Sequence, residues 1–212
     1  MVQVKICGLD RPETVAAAVE GGAAFVGFVF FPPSPRALRP AVAATLAAGV
    51  PANVTRVGLF VDPTDDLLRT TLATVPLDLM QLHGHETPAR VAAVRATFGR
   101  PVMKVLPIGG PADVAAVDPY LAVADRLMFD TKPPPDALAP GGNGLAFDWR
   151  LIAGRRWPLP WLLAGGLTID NLAEAVRTSG ATGVDLSSGV EDRPGVKSVA
   201  KIRAFLAAAA AL

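Results

Sequence analysis

The chain has 212 residues, 51% of them apolar, with 20 Lys and Arg against 19 Asp and Glu for a formal net charge of +1. That apolar fraction excludes a disordered chain, and a charge so near zero argues against a general nucleic-acid binder or a polybasic membrane binder, either of which needs clustered Lys and Arg. One cysteine cannot close an internal disulfide, and no CxxC or His/Cys cluster is present to hold zinc, so the sequence reads as a cytoplasmic protein without structural metal. The opening MVQVKICGLD lacks the long apolar run of a secretory signal, and AFLAAAAAL at the other end is too short to span a bilayer. A small-molecule partner is expected, with no nucleic acid and no membrane.

In chain order, short β-branched runs alternate with Ala-rich segments of helical period, the pattern of parallel strands joined by crossover helices. A strand over Val2 to Ile6 precedes a helix near Pro12 to Glu20, and Ala24 to Val29 precedes Pro40 to Ala48. Thr55 to Val61 is followed by a helix over Thr64 to Thr74, and Leu77 to Leu82 by one over Pro88 to Phe98. The later pairs are Val102 to Leu106 with Pro111 to Val117, Arg126 to Phe129 with Trp149 to Ala153, Trp161 to Ala164 with Ile169 to Thr178, and Gly183 to Leu186 with Ser198 to Ala210. Candidate helix caps are Asp10, Thr87 and Thr168.

Eight units in 212 residues leave about 26 residues each, close to the smallest spacing that holds a strand, a helix and two loops. The spacing predicts an α/β fold, a single-domain (β/α)8 TIM barrel over residues 1–212. A doubly wound open sheet is the competing layout, but it normally carries a GxGxxG turn after its first strand, where this chain has Cys7-Gly8-Leu9-Asp10. Thr131 to Phe147, rich in Pro and Gly, is expected to be an active-site loop.

Barrel enzymes carry their chemistry at the C-terminal ends of the strands. Those ends supply Cys7, Gln81, His83, Asp130 and Asp185, with Arg36 in the loop beyond the second strand. Side chains alternate along a strand, so Lys5 and Cys7 share a face, as do Gln81 and His83, and Met128 and Asp130. A free Cys is commonly a small buried hydrophobe, but a cation on the same face would favour its thiolate, the form that accepts a proton. Asp130 reads either as a solvated loop carboxylate or as a general acid in an apolar mouth. His83 and His85 are expected to hydrogen-bond rather than ligate metal, because no third ligand follows at suitable spacing. Arg36, in a Pro-stiffened loop, is either solvated or a planar fork for a carboxylate. Gly165 and Gly166 close the seventh strand, and Ser187, Ser188 and Gly189 close the eighth. Together they suggest a phosphate site built from backbone amides.

Ordered blocks running nearly the whole chain carry a family resemblance. They include Val4-Lys5-Ile6-Cys7-Gly8, Gly27-Phe28-Val29-Phe30 with Ser34-Pro35-Arg36, Gln81-Leu82-His83-Gly84 and Phe129-Asp130-Thr131. Gly141-Gly142-Asn143-Gly144, Leu163-Ala164-Gly165-Gly166-Leu167 and Val184-Asp185-Leu186-Ser187-Ser188-Gly189-Val190-Glu191 continue the series. In these blocks the chain resembles the phosphoribosylanthranilate isomerases of tryptophan biosynthesis. The resemblance implies a cofactor-free Amadori rearrangement of N-(5-phosphoribosyl)anthranilate. It implies Asp130 as general acid, Cys7 as general base, Arg36 paired with the anthranilate carboxylate, and Asp185 bonded to the sugar or to the acid-base pair. Gln81 and His83 are expected to contact substrate, and the enzyme is expected to be a monomer rather than a dimer. Asn143 stands where the family often has Thr or Ser, and Ser198 where many members have Asp. The alternatives are another phosphosugar-processing barrel enzyme and a non-catalytic phosphate-ligand-binding barrel. Two histidines in one turn cannot supply the ligands of a metal-dependent epimerase, and a mere sensor would not need both Cys7 and Asp130.

Overall fold

The computed structural model describes residues 2–134 and 140–212, and the middle of the expected Thr131 to Phe147 loop, residues 135–139, lies outside the described residues. Eight parallel strands close into a barrel in chain order: β1 (Gln3–Cys7), β2 (Phe25–Val29), β3 (Thr55–Phe60), β4 (Leu79–Leu82), β5 (Val102–Ile108), β6 (Arg126–Thr131), β7 (Trp161–Leu163) and β8 (Gly183–Leu186). The seam between β1 and β8 is closed by a parallel ladder in which Lys5 lies beside Asp185. The helices are α1 (Pro12–Glu20), α2 (Pro40–Ala48), α3 (Asp65–Thr74), α4 (Pro88–Phe98), α5 (Pro111–Ala115), α6 (Leu172–Ser179) and α7 (Val199–Ala210). Beyond β8 a small antiparallel hairpin, β9 (Glu191–Arg193) and β10 (Val196–Lys197), stands outside the barrel.

Local chemistry accounts for most helix starts. Pro12, Pro40, Pro88 and Pro111 occupy first-turn positions, where a missing amide hydrogen costs nothing. The Thr64 and Thr87 hydroxyls accept from the amides of Leu67 and Arg90. Two expected caps are corrected. Arg11, not Asp10, holds the cap position of α1, and α6 begins at Leu172 after Asn171, three residues beyond Thr168. The helix expected over Trp149 to Ala153 is a single 3-10 turn, Trp149–Leu151. The five residues from Trp149 to Ala153, followed at once by Gly154, leave room for little more than one helical turn.

Phe25, Val57, Leu79, Met103, Met128 and Leu162 fill the barrel interior, while Cys7, Val29 and Leu59 form a separate cluster above them. Leu127 and Phe129 face the helices, and the Phe129 ring stacks obliquely on Trp157 with centroids 4.6 Å apart. Burial on both faces explains why these strands read as nearly continuous apolar runs. Among the described residues, no helix is long and apolar enough to cross a membrane.

Candidate active site

The barrel interior is largely apolar, with polar side chains turned inward from β1, β4, β6 and β8. Lys5 on β1 is wholly buried, and its Nζ donates to Asp185 Oδ1 at 2.7 Å. Burial works against the Lys5 charge, but Asp185 and Cys7 together hold its pKa above the ordinary lysine value. Cys7, two residues on and on the same face, is 3% exposed. Burial pushes its thiol up, and the Lys5 ammonium offsets only part of that rise. The expectation of a cation on the Cys7 face holds, yet desolvation is the larger effect. Gly27 on β2 makes room for both groups, since a Cβ there would lie 3.1 Å from Cys7 Sγ and 3.1 Å from Lys5 Nζ.

Gln81 and His83 share the inner face at the end of β4. Gln81 Nε2 lies 3.3 Å from His83 Nδ1, and the far ring nitrogen, Nε2, lies 3.2 Å from Asp130 Oδ2 without well-formed hydrogen-bond geometry. Asp130 Oδ1 accepts from the Thr131 amide at 2.7 Å. Gln81 Oε1 and His83 Nε2 are therefore buried polar atoms with unspent capacity beside the cleft. Asp130 sits within β6 rather than after it, because β5 extends to Ile108 and pairs Pro107 with Asp130.

Arg36 reaches the opposite rim and is not solvated. Its Nε and Nη2 donate to the two oxygens of Glu191 at 2.7 and 2.9 Å, a two-pronged ion pair with the Glu191 side chain 3% exposed. Lys197 Nζ donates to Glu191 Oε1 at 2.5 Å and to Ser187 O and Oγ at 2.9 Å, and Ser187 Oγ donates to the carbonyl of Cys7 at 3.1 Å. Burial resists the Glu191 charge, but hydrogen bonds from Arg36 and Lys197 hold its carboxyl below the ordinary value. Glu191 and Lys197 had no role assigned from the sequence. A detectable signal was present in Glu191-Asp192-Arg193-Pro194-Gly195-Val196-Lys197, where a Pro-Gly turn between short runs sets opposite charges across a hairpin.

The cleft enclosed by these groups holds about 810 Å3, part of it open to solvent. Cys7, Arg36, Gln81, His83, Asp130 and Asp185 all line it, as do Gly165, Gly166, Ser187 and Ser188. Gly189 does not line it. Among the described residues, the amides of Gly165, Gly166, Ser188 and Gly189 donate to no backbone carbonyl. Two of these glycines are tight for reasons other than an anion. A Cβ on Gly166, at φ 59°, would lie 2.5 Å from the Leu145 carbonyl carbon, and one on Gly189 would run into the Leu167 carbonyl oxygen. Thr131 Oγ1 donates to the Leu145 carbonyl at 2.6 Å, which ties the returning arm of the long loop to the end of β6. Among the described residues, no group of three or more His, Cys, Asp or Glu stands together as a metal site.

Residues 4–208 match the model of the N-(5'-phosphoribosyl)anthranilate (PRA) isomerase family. The N-(5'-phosphoribosyl)anthranilate isomerase of Paramagnetospirillum magneticum is 60% identical over 208 residues, covering 98% of this chain and 97% of that one. A crystal structure of monomers generated from the dimeric isomerase of Thermotoga maritima superposes with a TM-score of 0.85 at 32% identity, with all of both chains covered. A phosphoribosyl anthranilate isomerase in complex with reduced 1-(o-carboxyphenylamino)-1-deoxyribulose 5-phosphate gives the same TM-score, identity and coverage. A family model spanning nearly the whole chain, a 60% identical relative and full-length superposition agree with the eight-stranded barrel, and the chain belongs to the N-(5'-phosphoribosyl)anthranilate isomerase family.

Proposed function

We propose that this chain converts N-(5-phosphoribosyl)anthranilate into 1-(2-carboxyphenylamino)-1-deoxyribulose 5-phosphate in tryptophan biosynthesis, with Cys7 and Asp130 as its base and acid. The observation that carries the assignment of roles is that these two groups, from β1 and β6, face one cleft whose rim also holds Arg36 and the free amides after β7 and β8. Asp130 gives a proton to the ribose ring oxygen as the C1–O bond breaks, and the nitrogen lone pair forms the C1=N bond of an open-chain Schiff base. Cys7, as thiolate, removes the proton from C2, and the electrons of that C–H bond form the C1=C2 bond of the enolamine. Loss of the C2 hydroxyl proton and protonation of C1 give the ketone. No redox partner is needed, since the oxidation of C2 balances the reduction of C1. Lys5 holds the thiolate, and Asp185 holds Lys5 charged.

Arg36 keeps its Nη1 free for the anthranilate carboxylate, and the amides of Gly165, Gly166 and Ser188 face the phosphate. Gln81 Oε1 accepts from a sugar hydroxyl, and His83 Nε2 donates to or accepts from one according to its tautomer. The working unit is a monomer, and light scattering on the purified protein tests that state. The unpaired Cys7 suits a cytoplasmic setting. The decisive assay follows loss of anthranilate-type fluorescence when freshly prepared substrate is added. Cys7→Ala and Asp130→Asn each lower turnover by about 100- to 10,000-fold with the circular dichroism spectrum retained. Near-wild-type turnover in either variant rejects that residue's role.

A further inference from the structure

The Arg36 guanidinium has two edges that can meet a carboxylate with paired N–H groups, one through Nε and Nη2 and one through Nη1 and Nη2. Glu191 occupies the first, at 2.7 and 2.9 Å. That leaves the second edge as the one a ligand can engage. Gly142 approaches one end of it, since a Cβ there would stand 2.7 Å from Arg36 Nη1. Arg36 is 9% exposed, so its plane is set by what it touches within the protein.

Glu191 is itself held on every side. Oε1 also accepts from Lys197 Nζ at 2.5 Å, Oε2 accepts from the Gly195 amide at 3.1 Å, and its own carbonyl accepts from Lys201 Nζ at 2.7 Å. Lys197 is anchored in turn to Ser187, and Ser187 to the Cys7 carbonyl, so the frame that aims Arg36 is tied to the ends of β8 and β1. The β9–β10 hairpin lies outside the barrel sheet, and it brings the Glu191 carboxylate and the Lys197 ammonium to this one place. Two cations share one buried carboxylate, which leaves the cluster with a net positive charge beside the cleft.

We propose that Glu191 is a positioning residue that sets the substrate preference of the site, by turning the free edge of Arg36 toward the carboxylate of the anthranilate ring. The proposal rests on the reading of Arg36 as the carboxylate partner. A planar, pre-aimed guanidinium edge favours a carboxylate with paired hydrogen bonds, whereas an unaimed one acts as a diffuse charge that any anion satisfies. Glu191 touches no reacting atom, so its effect is on discrimination between ligands and not on proton transfer.

The test uses two competing ligands, the reduced product analogue and the same compound lacking the ring carboxylate, together with inorganic phosphate. Affinities are measured for the wild type, Arg36→Met, Glu191→Gln and the double variant. The wild type is expected to prefer the carboxylate ligand by about 100-fold, and Glu191→Gln to reduce that preference to about 10-fold. Phosphate and the carboxylate-free ligand are expected to stay within about threefold, because Lys197 keeps its bonds to Ser187. In the Arg36→Met background the Glu191 change is expected to add nothing further. If Arg36→Met removes the preference while Glu191→Gln leaves it intact, the inference is overturned and the reading of Arg36 stands. If Arg36→Met leaves the preference intact, the reading of Arg36 falls and the inference with it. An equal loss for all three ligands in Glu191→Gln overturns the positioning role in favour of a purely structural one. Should Glu191→Gln fail to fold, Glu191→Asp, which keeps the charge but draws it back by one methylene, is expected to reduce the preference by about threefold, and no reduction there overturns the inference.

Discussion

Replacing Lys5 with Met keeps much of the side chain's volume and removes its charge. Cys7 Sγ and Lys5 Nζ each lie 3.1 Å from the same point, the place of a Cβ on Gly27, so the two are no more than about 6 Å apart. At an effective dielectric of about 20, an ammonium and a thiolate at that distance attract by about 3 kcal/mol, which corresponds to a rate factor on the order of 100 when the thiolate is the base. Removing Lys5 also leaves Asp185 without its partner, and that carboxylate then opposes ionisation of Cys7. Both effects have the same sign. The thiol becomes harder to ionise, the turnover at pH 7 falls by about 100-fold, and the limb of the pH-rate profile that rises with Cys7 deprotonation moves to higher pH. Breaking the Lys5–Asp185 pair costs about 3 kcal/mol of stability, which a domain of ordinary stability survives at 25 °C. The assay is fluorescence decay from pH 6 to 10 in roughly half-unit steps, with a thermal melt on the same samples. A Lys5→Met protein that keeps turnover within about threefold of the wild type, with its rising limb in place, refutes the electrostatic argument.

Three further outcomes are open to measurement. Gly189→Ala drives a Cβ into the Leu167 carbonyl oxygen and is expected to cost about 2 kcal/mol, a fall in Tm of about 6 °C by calorimetry, whereas a glycine needed only for anion approach would leave Tm unchanged. Lys104→Met strips the ammonium from Glu86, whose side chain is 1% exposed, and is expected to cost about 3 kcal/mol, read as a lower urea midpoint with an unchanged slope. Hydrogen bonds from Arg56 hold the Asp78 carboxyl below its ordinary value, so this pair's contribution is complete above the ordinary Asp value and fades as pH falls through the depressed one. Asp78→Asn is expected to flatten the loss of stability below about pH 4 in acid titrations followed by circular dichroism.

The strands were legible because parallel strands buried on both faces leave apolar, β-branched runs, and alternation along them then placed Lys5 with Cys7 and Gln81 with His83 on the inner face. What escaped is of two kinds. The ends of β5 and β6 run two residues past their expected limits, although Pro107 in β5 usually argues against a strand. The β4–β5 ladder ends at Leu82 and Lys104, so the missing amide hydrogen of Pro107 has no partner there to lose. The second kind is long-range. Arg36 and Glu191 are 155 residues apart, and no local pattern tells a solvated loop arginine from one clasped by a distant carboxylate. Gly166 and Gly189 likewise looked like anion-binding glycines, and only the crossing of the Leu145 and Leu167 carbonyls shows the tighter constraint.

The seam where β1 meets β8 joins residues 180 positions apart, and both Lys5–Asp185 and Ser187–Cys7 lie on it. In a growing polypeptide Cys7 emerges almost at once, but the carboxylate that keeps its neighbour charged arrives only with the last strand. The buried setting that places Cys7 beside a paired Lys5 therefore exists only once the ring has shut. Ring closure over such a separation is slow compared with local helix formation, so the appearance of activity during refolding times the final topological step and not the gain of secondary structure.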